Sequence, residues 1–223
     1  MDNILFSGIL SFLVQLFTLT FDIHVLFFDH DDYYHIVREL LKIEIYVQII
    51  EGMFYFWLLM NFQTIKNITP NRYYDWVITT PTMLLTYCIY LLHLKKDPND
   101  KTKETILEVV EKNTHNLVPI FILNTLMLLF GYLVELKKIP KNMGIVLGFI
   151  PFFAMFYMIY YNYAIYTSIG IQTFYYFSFI WGLYGIAALA NYTIKNIAYN
   201  LLDLFSKNFF GIFLAYVLYV NRL

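Results

Sequence analysis

The chain alternates between long apolar runs and short polar segments. Each run reaches or approaches the roughly 20 residues that a membrane-spanning helix needs. The sequence lacks the two-residue alternation of half-buried strands, and it contains no internal repeat. The pattern predicts apolar helices at residues 3–28, 37–62, 71–94, 116–136, 143–166, 171–191 and 193–220.

The polar segments between these runs predict turns and one further helix. Residues 95–103 form a charged loop with the turn signals Asp-Pro and Asn-Asp. Residues 104–113 are expected to form a separate short amphipathic helix on the surface, with its charges in solvent. Pro140 lies among lysines and predicts a tight turn before the next helix.

Helix one carries a polar face within an otherwise apolar run. Its members follow each other at three- and four-residue steps, which places them on one side of a helix: Ser7, Ser11, Gln15, Thr18 and Asp22. In lipid such side chains face the bundle interior or water. The hydroxyl groups, taken alone, are most simply explained as groups that form hydrogen bonds between helices.

Helix two has a similar face, made by Glu44, Gln48, Glu51 and Tyr55. Two carboxyl groups seven residues apart within a membrane span are hard to explain by packing. Each acid is either neutral, or in contact with water or a cation. A pair of protonated structural acids is the alternative.

Helix seven places Lys207 in the middle of an apolar run, one turn after Asp203. A lysine at membrane depth needs a partner or must lose its charge. A desolvated lysine readily forms a Schiff base with an aldehyde. These two residues alone leave open a purely structural ion pair.

A motif in helix three decides between these interpretations. Residues 71–82 contain the pattern Arg-Tyr-x-Asp-Trp-x-x-Thr-Thr-Pro, which resembles the third-helix signature of microbial rhodopsins. The segment with Asp203 and Lys207 resembles their seventh helix. The resemblance implies an all-α membrane protein, a seven-transmembrane helix bundle around all-trans retinal bound covalently to Lys207 as a protonated Schiff base.

The resemblance also implies roles for individual residues. Asp75 and Asp203 match the counterion positions, and Arg72 is expected on their outer side, where it links them to the exit path. The residues that match the wall of the retinal pocket are Trp76, Thr79, Thr80, Met83, Trp181 and Tyr184. Gly185 and Ala188 depart from the family, which usually has a proline and often a tryptophan there, so we expect a wider pocket at that end.

Composition supports a membrane protein and excludes several other classes. Hydrophobic residues make up 60% of the 223 residues, and the mean hydropathy is +0.58. A net charge of -1 gives no electrostatic case for nucleic-acid binding. Cys88 is the single cysteine, so no intrachain disulfide forms. The sequence shows no phosphate loop or metal-ligand cluster, and we expect neither enzymatic activity nor a metal.

Domain count and orientation follow from the same pattern. Seven helices with short loops use nearly the whole chain, which predicts one domain over residues 1–223. Residues 3–28 lack the basic region and cleavage site of a signal peptide and predict a retained first helix. A small excess of lysine and arginine in alternate loops favours an outside N-terminus, as the rhodopsin resemblance implies.

The expected kind of transport rests on two acidic residues that a proton pump needs and this chain lacks. A proton pump of this family uses an acid three turns inward from Asp75, where this chain has Thr86, and an outer acid where it has Lys195. Helices one, two and seven instead carry polar stripes that converge in a seven-helix ring. The expected ion pathway consists of Ser11, Glu44, Gln48, Glu51, Lys195, Asn196 and Asn200. We expect Lys195 to be a gate or the partner of a carboxylate.

These residues resemble the viral rhodopsins of giant algal viruses, in the group that forms light-gated cation channels. This predicts transport of monovalent cations, with protons as further candidates, across a membrane of the host cell, and it allows self-association in the bilayer. An outward proton pump with Glu44 or Glu51 as relocated donor is one alternative. A sensory rhodopsin that signals through residues 95–103 is another. A seven-helix scaffold without retinal would leave Lys207 and the helix-three motif unexplained.

Overall fold

The computed structural model describes residues 2–99 and 102–223. Its long helices are α1 Asp2–Val25, α2 His35–Met60, α3 Thr69–His93, α4 Ile106–Glu135, α5 Lys141–Asn162, α6 Ser168–Ala187 and α7 Tyr192–Val220. Short 3-10 turns lie at Asp32–Tyr34 and Ala164–Tyr166. Over these two ranges the chain is helical with no β-strand, as the sequence pattern predicts.

The seven helices form a closed ring. Each helix packs against the next one in the chain, and α7 packs back against α1. The second half of α7 also contacts α2, so α1, α2 and α7 share a common interface. This arrangement brings the three polar faces predicted from the sequence together inside the bundle.

Helix α7 changes its hydrogen-bonding pattern at its centre. A π-helical turn over Leu204–Asn208 separates two α-helical parts, Tyr192–Asp203 and Phe209–Val220. Such a turn widens the helix locally and is common at functional sites. It contains Lys207, and the side chains of Ser206, Lys207 and Asn208 are all buried.

The distribution of side chains is that of a membrane protein. Within the described residues, six helices have the length and apolarity to cross a bilayer. The twenty-residue α6 packs between α5 and α7 in the same ring. Large apolar side chains such as Phe17, Phe27 and Met60 lie on the outside, while many polar groups are buried. The chain is a multi-pass integral membrane protein.

The structure corrects one predicted element. The separate surface helix at residues 104–113 and helix four at 116–136 are a single helix, α4. Thr105 and Glu108 form a reciprocal capping box that starts the helix at the charged end. The change from charged to apolar residues along this segment does not stop the helix.

Several predicted ends shift by a few residues. Helix five was predicted to reach residue 166, but α5 ends at Asn162 and a 3-10 turn follows. Helix α6 begins earlier than predicted because the Thr167 side chain accepts a hydrogen bond from the backbone of Gly170. Pro81 lies inside α3 without ending it.

Candidate functional site

Lys207 is surrounded by three carboxyl groups at the centre of the bundle. Its Nζ donates a hydrogen bond to Asp75 Oδ2. Glu51 Oε1 lies 3.7 Å from Nζ and Asp203 Oδ1 lies 3.8 Å away. All four residues are buried, and they come from α2, α3 and α7. A lysine so deeply buried requires compensating charge, which this cluster supplies.

Asp203 is held by hydroxyl groups from two other helices. Tyr55 donates to its Oδ2 at 2.8 Å, and Tyr184 donates to its Oδ1 at 2.7 Å. Arg72 Nη1 lies 3.5 Å from Oδ2. These contacts fix the carboxyl group, so Asp203 is a rigid member of the cluster while Asp75 makes the direct bond to Lys207.

Arg72 connects this cluster to the first half of α7. It is fully buried, and its Nε donates to Asn196 Oδ1 at 3.2 Å. Its Nη2 donates to the side chain of Asn200 and to the carbonyl of Asn196. Both asparagines precede Asp203 in α7, so Arg72 extends from the central cluster towards the end of the bundle where α7 begins.

A cavity of about 130 Å³ extends from Lys207 between α3, α4, α5 and α6. Five of the six pocket residues expected from the sequence line it: Trp76, Thr80, Met83, Trp181 and Tyr184. Thr79 is buried but is not among the lining residues, and its hydroxyl donates to the carbonyl of Asp75 at 3.0 Å. The lining is mostly apolar, with Lys207 as its cationic end.

The remaining cavity wall was not found by sequence reasoning. Residues of α4 and α5 complete it, among them Met127, Gly131, Phe149 and Phe152. A β-carbon at Gly185 would lie 2.5 Å from Phe149 Cζ, so the Phe149 ring fills the space left by this glycine. An apolar cavity with a buried lysine at one end fits a long apolar aldehyde attached to that lysine.

The polar faces of α1 and α7 meet on the outer side of this cluster. Asn200 Nδ2 donates to Ser7 Oγ at 2.8 Å, and Ser11 Oγ donates to the carbonyl of Asn200 at 3.1 Å. Gln15 donates to Ser11 at 3.3 Å. Arg72 links Asn196 to Asn200, so these residues form a buried polar row along α1 and α7.

The path continues inward between α1, α2 and α7. Thr18 Oγ1 lies within hydrogen-bonding distance of Gln48 Oε1, at 3.2 Å, and of Asn208 Oδ1, at 2.9 Å. Gln48 Nε2 donates to Asp22 Oδ2 at 2.5 Å. We call the buried polar residues from Asn196 to Asp22 the polar seam: Ser7, Ser11, Gln15, Thr18, Asp22, Gln48, Asn196, Asn200 and Asn208.

Glu44 lies beside the inner part of this seam and makes a different contact. The hydroxyl of Thr86 donates a hydrogen bond to Glu44 Oε1. Thr86 is the α3 residue at the position where a proton pump of this family carries an acid. The α2 residue therefore supplies a carboxyl group at that place, which the sequence of α3 alone could not show.

Lys195 is the partner of a carboxylate at the end of the bundle where α7 begins. Its Nζ lies 2.6 Å and 2.9 Å from the two carboxyl oxygens of Glu135. Glu135 ends α4, 60 residues earlier in the chain. Sequence reasoning did not single out Glu135, because an acid at a helix end is usually solvated.

Comparisons with known proteins agree with this architecture. Residues 6–221 match the family model described as bacteriorhodopsin-like protein. The crystal structure of viral rhodopsin OLPVRII has a TM-score of 0.82 and 29% sequence identity, with 96% of each chain covered. No curated protein sequence matches the chain.

More distant structures share the fold. Blue light-absorbing proteorhodopsin from Med12 has a TM-score of 0.74 and 17% identity, covering 97% of this chain and 96% of that one. The thermophilic rhodopsin from Rubrobacter xylanophilus has a TM-score of 0.74 and 18% identity, covering 96% and 95%. The family match spans nearly the whole sequence. The chain belongs to the bacteriorhodopsin-like family and has the fold of a rhodopsin photoreceptor.

Proposed function

We propose that the protein is a light-gated cation channel that binds retinal covalently at Lys207, in a host-cell membrane with its N-terminus outside. Retinal would supply the absorption of light and the change of shape that follows. The family match and the apolar cavity that starts at Lys207 support this cofactor. The outward-facing N-terminus rests on the loop charges and on the family resemblance.

The residues around Lys207 set the charge balance of the site. Asp75 is the main counterion, because it accepts the hydrogen bond from Lys207 Nζ. The same contact makes Asp75 Oδ2 the acceptor for a proton released at Nζ. Asp203 stays fixed by Tyr55 and Tyr184 and remains the second counterion. Moving one proton within this cluster changes the forces on α2, α3 and α7 together.

The polar seam is the observation that carries the channel proposal. It runs from Asn196 to Asp22 between α1, α2 and α7, and its side chains are buried. Lining a transmembrane route with amides, hydroxyls and carboxyls is typical of cation pathways. A bundle that needed polar groups only to join helices would not require so long and continuous a row.

Arg72 keeps this route closed in the present state. Arg72 bonds to Asn196 and Asn200, so a positive charge lies across the outer half of the seam. A cation passes only when these bonds are released and the charge moves aside. Since Arg72 is also bonded to Asp203 and Tyr55, a change in charge around Lys207 reaches it directly.

Photocurrent under voltage clamp tests the proposal. Cells that express the protein with retinal should give light-dependent currents whose reversal potential follows the gradient of sodium or potassium. Lys207→Ala is the matched control, which should give no light-dependent current at equal expression. Current in one direction at every voltage contradicts the channel.

One observation favours a second function, an outward proton pump. The Thr86–Glu44 hydrogen bond places a carboxyl group next to the α3 position used by the inner proton donor of such pumps. Glu44 would then return a proton to the central cluster from the inner side. Outward current at all voltages, with acidification of the medium, would establish this function instead.

A further inference from the structure

The inner end of the polar seam contains a carboxyl group with no assigned role. Asp22 is fully buried, three residues before the end of α1. Gln48 from α2 donates to its Oδ2 at 2.5 Å, and Gln48 is itself linked through Thr18 to Asn208 of α7. We call Thr18, Asp22, Gln48 and Asn208 the inner node.

The inner node has polar atoms without partners. Within residues 2–99 and 102–223, Asp22 Oδ1 and Asn208 Nδ2 are buried and make no hydrogen bond. Gln15 Oε1, on α1 one turn before Thr18, is likewise buried without a hydrogen bond. A buried polar atom left without a partner costs about 1 to 3 kcal/mol. Asp22 Oδ1 is a free acceptor that can bind a cation or a water molecule, whereas Asn208 Nδ2 is a donor that a water oxygen can satisfy.

Gly211 provides the room for this arrangement. A β-carbon at Gly211 would lie 2.5 Å from Asp22 Oδ2 and would also overlap Gln48 Nε2. A larger residue would displace the end of the Asp22 or the Gln48 side chain. The close approach of α7 at this point is thus matched to the Asp22–Gln48 pair, which is a specific feature of the chain and not a consequence of general helix packing.

The inner node is also coupled to the central lysine. Asn208 follows Lys207 directly, and both lie in the π-helical turn Leu204–Asn208. A movement of the backbone at Lys207 therefore displaces the Asn208 side chain and its contact with Thr18. This contact joins α7 to α1, and Thr18 is in turn linked through Gln48 to Asp22.

We infer that the inner node is a binding site for a monovalent cation, with Asp22 as its charged ligand and Gly211 as the residue that keeps it open. The inference deepens the proposed channel function and rests on it for the direction of ion movement. One carboxyl group with amide and hydroxyl oxygens is a typical oxygen ligand set for hard cations. A single charged ligand binds weakly enough for the ion to leave again.

Asp22→Asn provides the first test, in two measurements. The variant keeps the shape of the side chain and removes its charge, so we expect a loss of photocurrent amplitude and a changed ratio of sodium to potassium permeability. The absorption spectrum should stay that of the parent. Asp29→Asn, which removes an exposed acid near the same end of α1, is the matched control and should behave as the parent.

Gly211→Ala tests the same site without removing a charge. The added methyl group should separate Asp22 from Gln48 and lower the current. In the Asp22→Asn background the same change should have little further effect, because its target is already altered. Full additivity of the two changes would overturn the role given to Gly211.

Infrared difference spectra separate this inference from the channel proposal. Purified parent protein is compared in sodium and in N-methylglucamine, a cation too large for the site. We expect an Asp22 band that depends on sodium and is lost in Asp22→Asn. If this band is present while currents never reverse, the cation site stands and the channel fails. If currents reverse but Asp22→Asn matches the parent in current and infrared bands, the inference is wrong.

Discussion

Glu51 Oε1 lies 3.7 Å from Lys207 Nζ, so α2 contributes a carboxyl group to the central cluster. The sequence predicted Glu51 as one of two acids in series along the ion pathway, with Glu44 two turns away. Their surroundings differ, since Glu44 accepts a hydrogen bond from Thr86 and Glu51 lies beside Lys207. The place of both acids on the ion pathway stays a prediction. Both Glu51 oxygens lack a hydrogen bond within the described residues.

Glu51→Gln should therefore shift the absorption of the retinal-bound protein to the red. A negative charge near Lys207 stabilises the positive charge of the ground state more than that of the excited state. Glu44→Gln is the matched control, since Glu44 is equally buried on the same helix without contact to Lys207. Absorption spectra of the two purified variants provide the measurement. An unshifted Glu51→Gln spectrum would show that this carboxyl is neutral.

Asp75→Asn should give a larger red shift than Glu51→Gln. Asp75 is hydrogen-bonded to Lys207, whereas Glu51 is 3.7 Å away. The variant should also slow the transfer of the proton from Nζ, because its direct acceptor is gone. Spectra and flash photolysis check both effects. If Asp203→Asn produces the larger changes, the two aspartates have exchanged the roles proposed here.

Lys207→Ala should yield protein that stays colourless when retinal is added. The change removes the amine that ends the apolar cavity and leaves the buried carboxyl groups of Asp75 and Glu51 without a cation, while Asp203 keeps Arg72. A visible band that survives this change would place the attachment elsewhere. Lys138→Met is a suitable control, because Lys138 is exposed, does not line the cavity and should not affect pigment formation.

The sequence predicted the helices and the polar faces well, because both depend on local periodicity. The five polar residues of α1 are buried together, as their spacing predicted. The spacing within α2 also placed Glu44 and Glu51 on the buried side. These features require only that apolar residues face lipid and polar residues face the interior.

Contacts between distant helices could not be predicted in the same way. Glu135 and Lys195 are 60 residues apart, and no pattern within either helix relates them. The place of Thr86 beside Glu44 depends on how α2 and α3 are rotated against each other. The local pattern also does not show that two predicted segments join into α4, because charged residues between two helical segments are equally typical of a loop.

Glu135→Gln should lower the free energy of unfolding by about 3 kcal/mol, because it leaves the buried charge of Lys195 unpaired. The side chains of Lys195 and Glu135 are only 11% and 9% exposed, so water replaces the lost partner poorly. The double variant Glu135→Gln with Lys195→Met should recover most of this loss. Thermal bleaching of the visible band measures all three proteins. Equal stability of parent and single variant would show that the pair is solvated.

Glu44→Gln separates the two proposed functions most directly. In a proton pump the loss of the inner donor leaves reprotonation to the cytoplasmic solution, so the late photocycle should slow about tenfold for each unit of increasing pH. In a channel the variant should lower the cation current or shift its reversal potential, with pH-independent late kinetics. Thr86→Val keeps the carboxyl group and removes only its hydrogen bond, so its effect should be smaller in the same direction. Unchanged current and kinetics in Glu44→Gln would exclude Glu44 from both roles and leave the seam through Asp22 as the inner route.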